Sequence, residues 1–271
     1  MSAENKKAFT LVELLVVISI IGLLMGILMP AISAAKAQSK AAVCQSNIRQ
    51  LLLANRGYAT ENDGYYVTAA NDILGSFGGL HRWHGVRDEY EEPFDPLKGP
   101  LASYLADGSV KECPQKVNFR KGDPWSFNYE DGCGGYGYNM TYIGSRMWKR
   151  YNAENCRISA KDFEVRQPGQ TLMFADTAMA ILDNSGAYYL EYSFAEPPYF
   201  VDNGQPAISW GYASPSIHFR HRRRANIGWA DGHIDAREMA DFDGINAYGI
   251  KSSDMMLGWF EPIDNSQFDL E

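Results

Sequence analysis

The chain is short of the residues and spacings from which most active sites are built. It has four cysteines and five histidines in 271 residues, and no two cysteines stand as CxxC. That absence argues against a zinc centre held by the four cysteines. There is no Gly-rich phosphate loop, no GxSxG and no HExxH, so nucleotide, serine-hydrolase and zinc-protease chemistry have no motif to rest on. Positive charge is also scarce. Lys and Arg number 25 against 33 Asp and Glu, a net charge of −8, which disfavours nucleic acid as the main partner. No long low-complexity segment and no internal repeat is visible. The length accommodates one membrane helix and one globular domain with its own core.

What the chain does have is a long hydrophobic run at its start. Lys6 and Lys7 lead into Ala8-Phe9-Thr10, and Leu11 to Met29 gives nineteen residues interrupted by one charge, Glu13. About 20 residues cross a hydrocarbon core as a helix, and the two lysines would hold the leader on the cytoplasmic side. A carboxylate inside such a span costs roughly 2.5–3.5 kcal/mol, so it marks a functional position. The order of the parts is wrong for a secretory signal peptide, whose small-residue cleavage site follows the apolar region. Here the small residue, Ala8, precedes it. A plain signal anchor fits the order but gives Glu13 no purpose.

Lys-Lys-Ala8-Phe9 followed by Glu13 resembles the N-terminal segment of type IV pilins and type II secretion pseudopilins. The resemblance implies that a prepilin peptidase cuts between Ala8 and Phe9 and methylates the new amine of Phe9. Glu13 then falls at the fifth mature position, Gly22 at the fourteenth and Pro30 at the twenty-second, where the family often carries these residues. Ala8 is a departure, since Gly is commoner before the cut. Glu13 would meet the amine of a neighbouring subunit's Phe9 in an apolar filament core, a pair better suited to setting register than to adding stability. Gly22 and Pro30 weaken the helix between them. The mature chain would lose Lys6, Lys7 and Glu4 and stand near −9.

The residues divide the chain into a leader at 1–8, a transmembrane and assembly helix at 9–30, an amphipathic helix half at 31–58 and a head at 59–271. Ala41, Cys44, Ile48, Leu51 and Leu52 repeat at three and four residues and mark one apolar face. One helix from Phe9 to Tyr58 would be ~75 Å long, with Gly57 and Asn62-Asp63-Gly64 as stops. The head alternates short apolar runs with turn signals. Leu172–Ala175, ending at Asp176, reads as a strand. Ala178–Leu182 and Tyr188–Tyr192 read as a hairpin about Asp183-Asn184-Ser185-Gly186. Ala225–Ala230 and His233–Ala236 read as a second hairpin about Asp231-Gly232, with Ile227 and Trp229 on one face. Long loops are expected at 70–100 and 115–140. The fold class is α+β: a long helix packed on an antiparallel sheet.

His221, nine residues, then Asp231-Gly232 matches the H-X9-DG element found near the C-terminus of many prepilin-type proteins. Cys113-Pro114, Tyr136-Gly137-Tyr138-Asn139, Pro168 with Phe174-Ala175-Asp176, and the stretch Cys44–Leu51 with Tyr58 and Asp63-Gly64-Tyr65 also resemble that family. One reading of the element is structural, with Asp-Gly supplying a turn and His221 bonding a neighbouring loop. The other is a metal site in which His221, Asp231, His233 and Asp176 converge on a transition metal. Related major pseudopilins bind calcium in a head loop. Asp241-Phe242-Asp243-Gly244 and Asp183-Asn184 are oxygen-rich here, but neither fits the twelve-residue calcium pattern. No cofactor is expected, with calcium or another divalent metal as the alternative.

The basic run Arg220-His221-Arg222-Arg223-Arg224 reads as a solvated turn, with weak DNA contact as its alternative. Outside the cytoplasm the cysteines could pair in three ways. Cys44–Cys113, stapling head to helix, with Cys133–Cys156 is the favoured pairing. Trp83, Trp125, Trp148, Tyr136 and Tyr138 read as core, with a glycan-binding surface as the alternative.

The expected function is a structural subunit, not an enzyme. Its partners would be prepilin peptidase and other pilin or pseudopilin subunits, in a homo- or hetero-oligomeric filament. It would sit in the inner membrane, single-pass with the head outside the cytoplasm, before joining a periplasmic or surface filament. Two alternatives remain: a membrane-anchored binding or adhesin module that does not polymerise, and a tethered hydrolase using His221 and Asp231.

Overall fold

The structure, a computed structural model, describes residues 11–75, 78–115, 117–121 and 130–271. The leader, Ala8, Phe9 and Trp125 lie outside the described residues. One helix, α1, spans Leu11–Glu61, and the chain divides into two units, Met1–Lys40 and Ala41–Glu271.

In the first unit the described residues are helical throughout. Large apolar side chains are exposed around the helix, Leu11 at 80%, Leu23 at 68% and Ile27 at 68%. A helix apolar on every side has no water-facing stripe and suits a membrane or an assembled core. Pro30 lies within α1 without ending it, although it forfeits one backbone hydrogen bond. A Cβ added at Gly22 would meet nothing within 4 Å.

In the second unit, residues 41–61 of α1 bury one face: Cys44, Ile48, Leu51 and Leu52, joined by the polar Asn47 and Asn55. The expected stop at Gly57 does not occur. Gly57 sits inside α1, where an added Cβ would come within 3.0 Å of the Tyr104 ring, so it serves close packing. The helix ends instead at Asn62-Asp63-Gly64. Asp63 and Gly64 take left-handed backbone angles (φ 52° and 81°), and the Gly64 amide caps the Ala59 carbonyl at 2.9 Å, the αL termination that frees a chain from a helix.

The head is built from short antiparallel pairs. In chain order the strands are β1 (His81–Arg82), β2 (Gly85–Val86), β3 (Tyr136–Tyr138), β4 (Leu172–Asp176), β5 (Met179–Asp183), β6 (Gly186–Leu190), β7 (Val201–Asp202), β8 (Gln205–Pro206), β9 (Ile217–His218), β10 (Arg224–Trp229), β11 (Ile234–Glu238) and β12 (Leu257–Gly258). The central sheet runs β11-β10-β4-β3. With the helix it forms the expected α+β layout, consistent with a pilin fold. Both hairpins form. The first arm of the β5–β6 hairpin matches its expected position, while β6 begins at Gly186 rather than Tyr188 because the turn is two residues, Asn184-Ser185.

Register brings one row of side chains under the helix. Tyr136 pairs with Asp176 and Tyr138 with Phe174, while Gly228 pairs with Phe174 on the other side. Opposed residues share a face, so these five line up together. Tyr138 and Phe174 stack with ring centroids 4.8 Å apart, and Trp83 packs edge-on to Phe174 at 5.1 Å. Trp83, Tyr136 and Tyr138 are fully buried and are core rather than a glycan surface. The C-terminal segment is pinned to the same sheet: the Leu172 amide donates to Gln267, and the Asn139 side chain donates to the carbonyls of Leu172 and Phe268.

Gly228 decides how near the helix can come. An added Cβ would lie 2.5 Å from Ile48 Cγ2 and 3.0 Å from Leu52 Cδ1. Gly228→Ala is therefore expected to destabilise the head by about 1–3 kcal/mol through overpacking, lowering Tm by several degrees in a calorimetric scan. Gly22→Ala should leave that head transition unmoved.

Candidate functional site

Two sets of residues are the candidates for function in this chain: the start of α1, and the place where α1 meets the sheet. At the start, Glu13 lies in the first turn of the described helix, among the exposed apolar residues of the first unit. Gly22 and Pro30 follow on the same helix. Among the described residues, α1 is the one helix long and apolar enough to cross a membrane.

The second set gathers around Asp176. This carboxylate ends β4 and is fully buried. One oxygen, Oδ1, accepts from Arg220 Nη2 at 3.0 Å and from the Cys44 thiol at 3.0 Å. The other, Oδ2, accepts from the Asn226 amide at 2.8 Å and lies 3.4 Å from His221 Nε2. His221 Nε2 is also 3.4 Å from Cys113 Sγ. The Tyr136 hydroxyl donates to Cys44 Sγ at 3.4 Å and accepts from Asn47. Arg220 reaches further, donating to the carbonyls of Thr177 and Gly135.

Electrostatics follow from that geometry. Burial alone would raise the Asp176 pKa, but the Arg220 charge and the His221 contact hold it well below the usual carboxylate range. Burial would lower His221, yet its contacts with Asp176 and Cys113 raise it to about 9. Cys113 is lowered to about 5, chiefly by its bond with Cys44 and helped by His221 and Arg220. Cys44 moves the other way, pushed up by burial. Arg220 stays a cation, raised by the Asp176 charge against the pull of burial.

Several expectations are corrected here. His221 and Asp176 do converge, but Asp231 and His233 do not join them. Asp231 Oδ1 bonds the His233 ring at 2.7 Å in the β10–β11 turn, while the Asp231 carbonyl accepts from Arg56 at 3.0 Å. The physical reason is the length of β10. Its six residues are ~20 Å of extended chain, so His221 and Asp231 stand at opposite ends of one strand. They cannot form a hydrolytic pair. The companions of His221 and Asp176 are Cys44 and Cys113 instead, and the four ligand-type atoms lie within 4.8 Å of one another. The sequence signal for this set was the placement of Cys44 on the apolar helix face.

The basic run is not a uniformly solvated turn. Arg220 and His221 are buried, at 5% and 7% exposure. Arg222 and Arg223 make the turn with left-handed backbone angles of 58° and 64°, which leaves Arg222–Arg224 exposed. All four cysteines are free thiols. Cys44 and Cys113 are neighbours without a disulfide, against the favoured pairing. Cys133 instead donates to Glu191, and Cys156, in the short helix α2 (Ala153–Cys156), donates to the Asn152 carbonyl. Of the oxygen-rich stretches, Asp183 is held by Arg120 at 2.6 Å and Asp243 by Lys251 at 2.7 Å.

Comparison with known proteins adds one finding. Residues 4–29 match the prokaryotic N-terminal methylation motif, which supports a type IV pilin-like, prepilin-processed protein. No curated protein and no solved structure matches the chain.

Two outcomes test this reading of the head. Asp176→Asn strips a buried arginine of its counter-charge and is expected to cost about 3–5 kcal/mol in urea unfolding, whereas Asp231→Asn, at an exposed pair, should cost about 1 kcal/mol or less. Acid should also destabilise the fold. His218 and His84 are each pushed down to about 3, mainly by burial. A histidine with a depressed folded pKa adds stability that is complete above its unfolded value, near 6.5, and is lost as pH falls toward 3. At pH 5 the two together should cost on the order of 2–4 kcal/mol relative to pH 7, read from the urea midpoint.

Proposed function

We propose that this protein is a pilin or pseudopilin: a structural subunit cut by prepilin peptidase between Ala8 and Phe9, methylated on Phe9, and assembled through α1 into a type IV pilus or a type II secretion pseudopilus. One observation carries the reading. The methylation motif at residues 4–29 runs directly into a helix whose apolar residues are exposed around its whole circumference, while the same helix, from residue 41 onward, is part of a folded head.

The chemistry of assembly follows. In the bilayer the apolar surface is solvated by lipid. On leaving it, that surface has to be covered, and copies of the same helix offer a matching apolar face. Glu13 then serves as the register element, because a carboxylate entering such a bundle is tolerated only where a cation meets it. The methylated amine of Phe9 on a neighbouring subunit supplies that cation. The subunit's own work is assembly, not catalysis, and the head is exported with the membrane helix as its anchor.

A membrane-anchored binding module is the second reading. It is favoured by a cavity of about 620 Å³ in the head, lined by Met179, Tyr199, Phe200, Trp210 and Tyr248 among others.

Intact and N-terminal mass spectrometry of the chain co-expressed with a prepilin peptidase should find a mature protein beginning at N-methylated Phe9. A chain that keeps Met1 or Ser2 beside an active peptidase would defeat the processing model. Filaments sheared from cells should contain the protein, and Glu13→Ala should remove it from that fraction while leaving it in the membrane. Equal recovery of the variant would favour the non-polymerising module.

A further inference from the structure

We infer that Cys44, Cys113, Asp176 and His221 form a structural zinc site that clasps the base of α1 to the head. The four residues come from four different elements: the helix, the loop before β3, the end of β4 and the turn between β9 and β10. Nothing in their sequence spacing links them.

The donor set and its geometry point to this ion. Two thiolates, an imidazole and a carboxylate make an S2NO set, which suits zinc and not the hard cations calcium and magnesium. With Zn–S near 2.3 Å and Zn–N or Zn–O near 2.0–2.2 Å, a tetrahedron has donor–donor edges of roughly 3.3–3.8 Å. Cys113 Sγ and His221 Nε2 are 3.4 Å apart, Cys44 Sγ lies 3.0 Å from Asp176 Oδ1 and His221 Nε2 3.4 Å from Asp176 Oδ2, and with one ligand atom taken from each residue the four lie within 4.8 Å of one another.

The outer contacts are those a metal site uses. Arg220 and the Asn226 amide orient the Asp176 carboxylate, and the Tyr136 hydroxyl points at the Cys44 sulfur. Such groups fix the direction of a ligand and tune its basicity. Charge closes as well. Zn²⁺ and Arg220 together offset two thiolates and one carboxylate, so the buried centre is neutral. Cys44, Asp176 and His221 are buried and Cys113 is half-buried. With four protein ligands in a closed setting no position is left for substrate, so the role is structural. Binding an ion that the unfolded chain cannot hold adds its free energy to folding.

The test uses the full chain in detergent, purified under reducing conditions and incubated with zinc alone, then desalted. Elemental analysis should find about one zinc per chain, as structural sites retain. Cobalt in its place should give thiolate-to-metal charge-transfer bands and intense tetrahedral d–d bands. Cys44→Ser and Cys113→Ser should bring bound zinc to near zero, while Cys133→Ser and Cys156→Ser should keep it. The wild-type cobalt spectrum stands even where a variant fails to fold. A weak octahedral cobalt spectrum, wild-type protein that returns from desalting without zinc, or peptide mapping that finds a Cys44–Cys113 disulfide in protein purified from the oxidising side of a membrane would each overturn the site.

Discussion

The buried Asp176 carboxylate is the constraint on which the head depends. A charge with no access to water is stable only where its lone pairs are filled and its charge is met. Here each oxygen is served twice, by Arg220 and Cys44 on one side and by Asn226 and His221 on the other. Those donors belong to the helix, to the turn after β9 and to the first residues of β10. Satisfying one carboxylate therefore fixes where three segments meet. Any slip of β10 by one residue would turn the Asn226 amide away and send Gly228 to the wrong face.

That slip would also undo the helix seat. Gly228 is the gap into which Ile48 and Leu52 descend, and the same face carries the hydroxyls of Tyr136 and Tyr138, which bond Asn47 and Asn55. The contact is mixed, apolar in the middle and polar at its flanks. The apolar part supplies free energy without direction. The asparagines supply direction, since each must find its partner once buried. At the other end of β10, Arg56 reaches the Asp231 carbonyl. The segment from His221 to Asp231 is thus a turn and a strand that hold the helix at two points, Gln45 through the Asn226 side chain and Arg56 through the Asp231 carbonyl, 11 positions apart on α1.

The helix itself is written in two chemistries. From Leu11 to Met29 it is apolar all round but for Glu13 and Ser19, then Lys36, Gln38, Ser39 and Lys40 follow, and from Ala41 it carries a buried stripe on one face. A subunit of the proposed filament would need this division. On that proposal the first half would exchange one apolar environment for another without unfolding, while the second would hold its head through that exchange. The polar anchors of the head are the part that lipid could not replace.

Much of this was legible in the residues. The helix, its apolar face, the β10–β11 hairpin and the α+β class follow from local periodicity and turn chemistry, which act over a few residues and are written in sequence order. The processing segment is legible for the same reason, because it is read as a contiguous string. The residues placed Cys44 beside Cys113 and His221 beside Asp176, but the union of the two pairs was not legible. Sequence reasoning placed His221 and Asp176 together but chose Asp231 and His233 as their companions, since both lie near in the chain. It treated Arg220 as solvated, although it is the counter-charge of the core, and it took Gly57 for a stop where Tyr104 packs against it. Distance along an extended strand and the identity of a partner more than a hundred residues away are set by register and by the seating of the helix. Only the tertiary structure decides those.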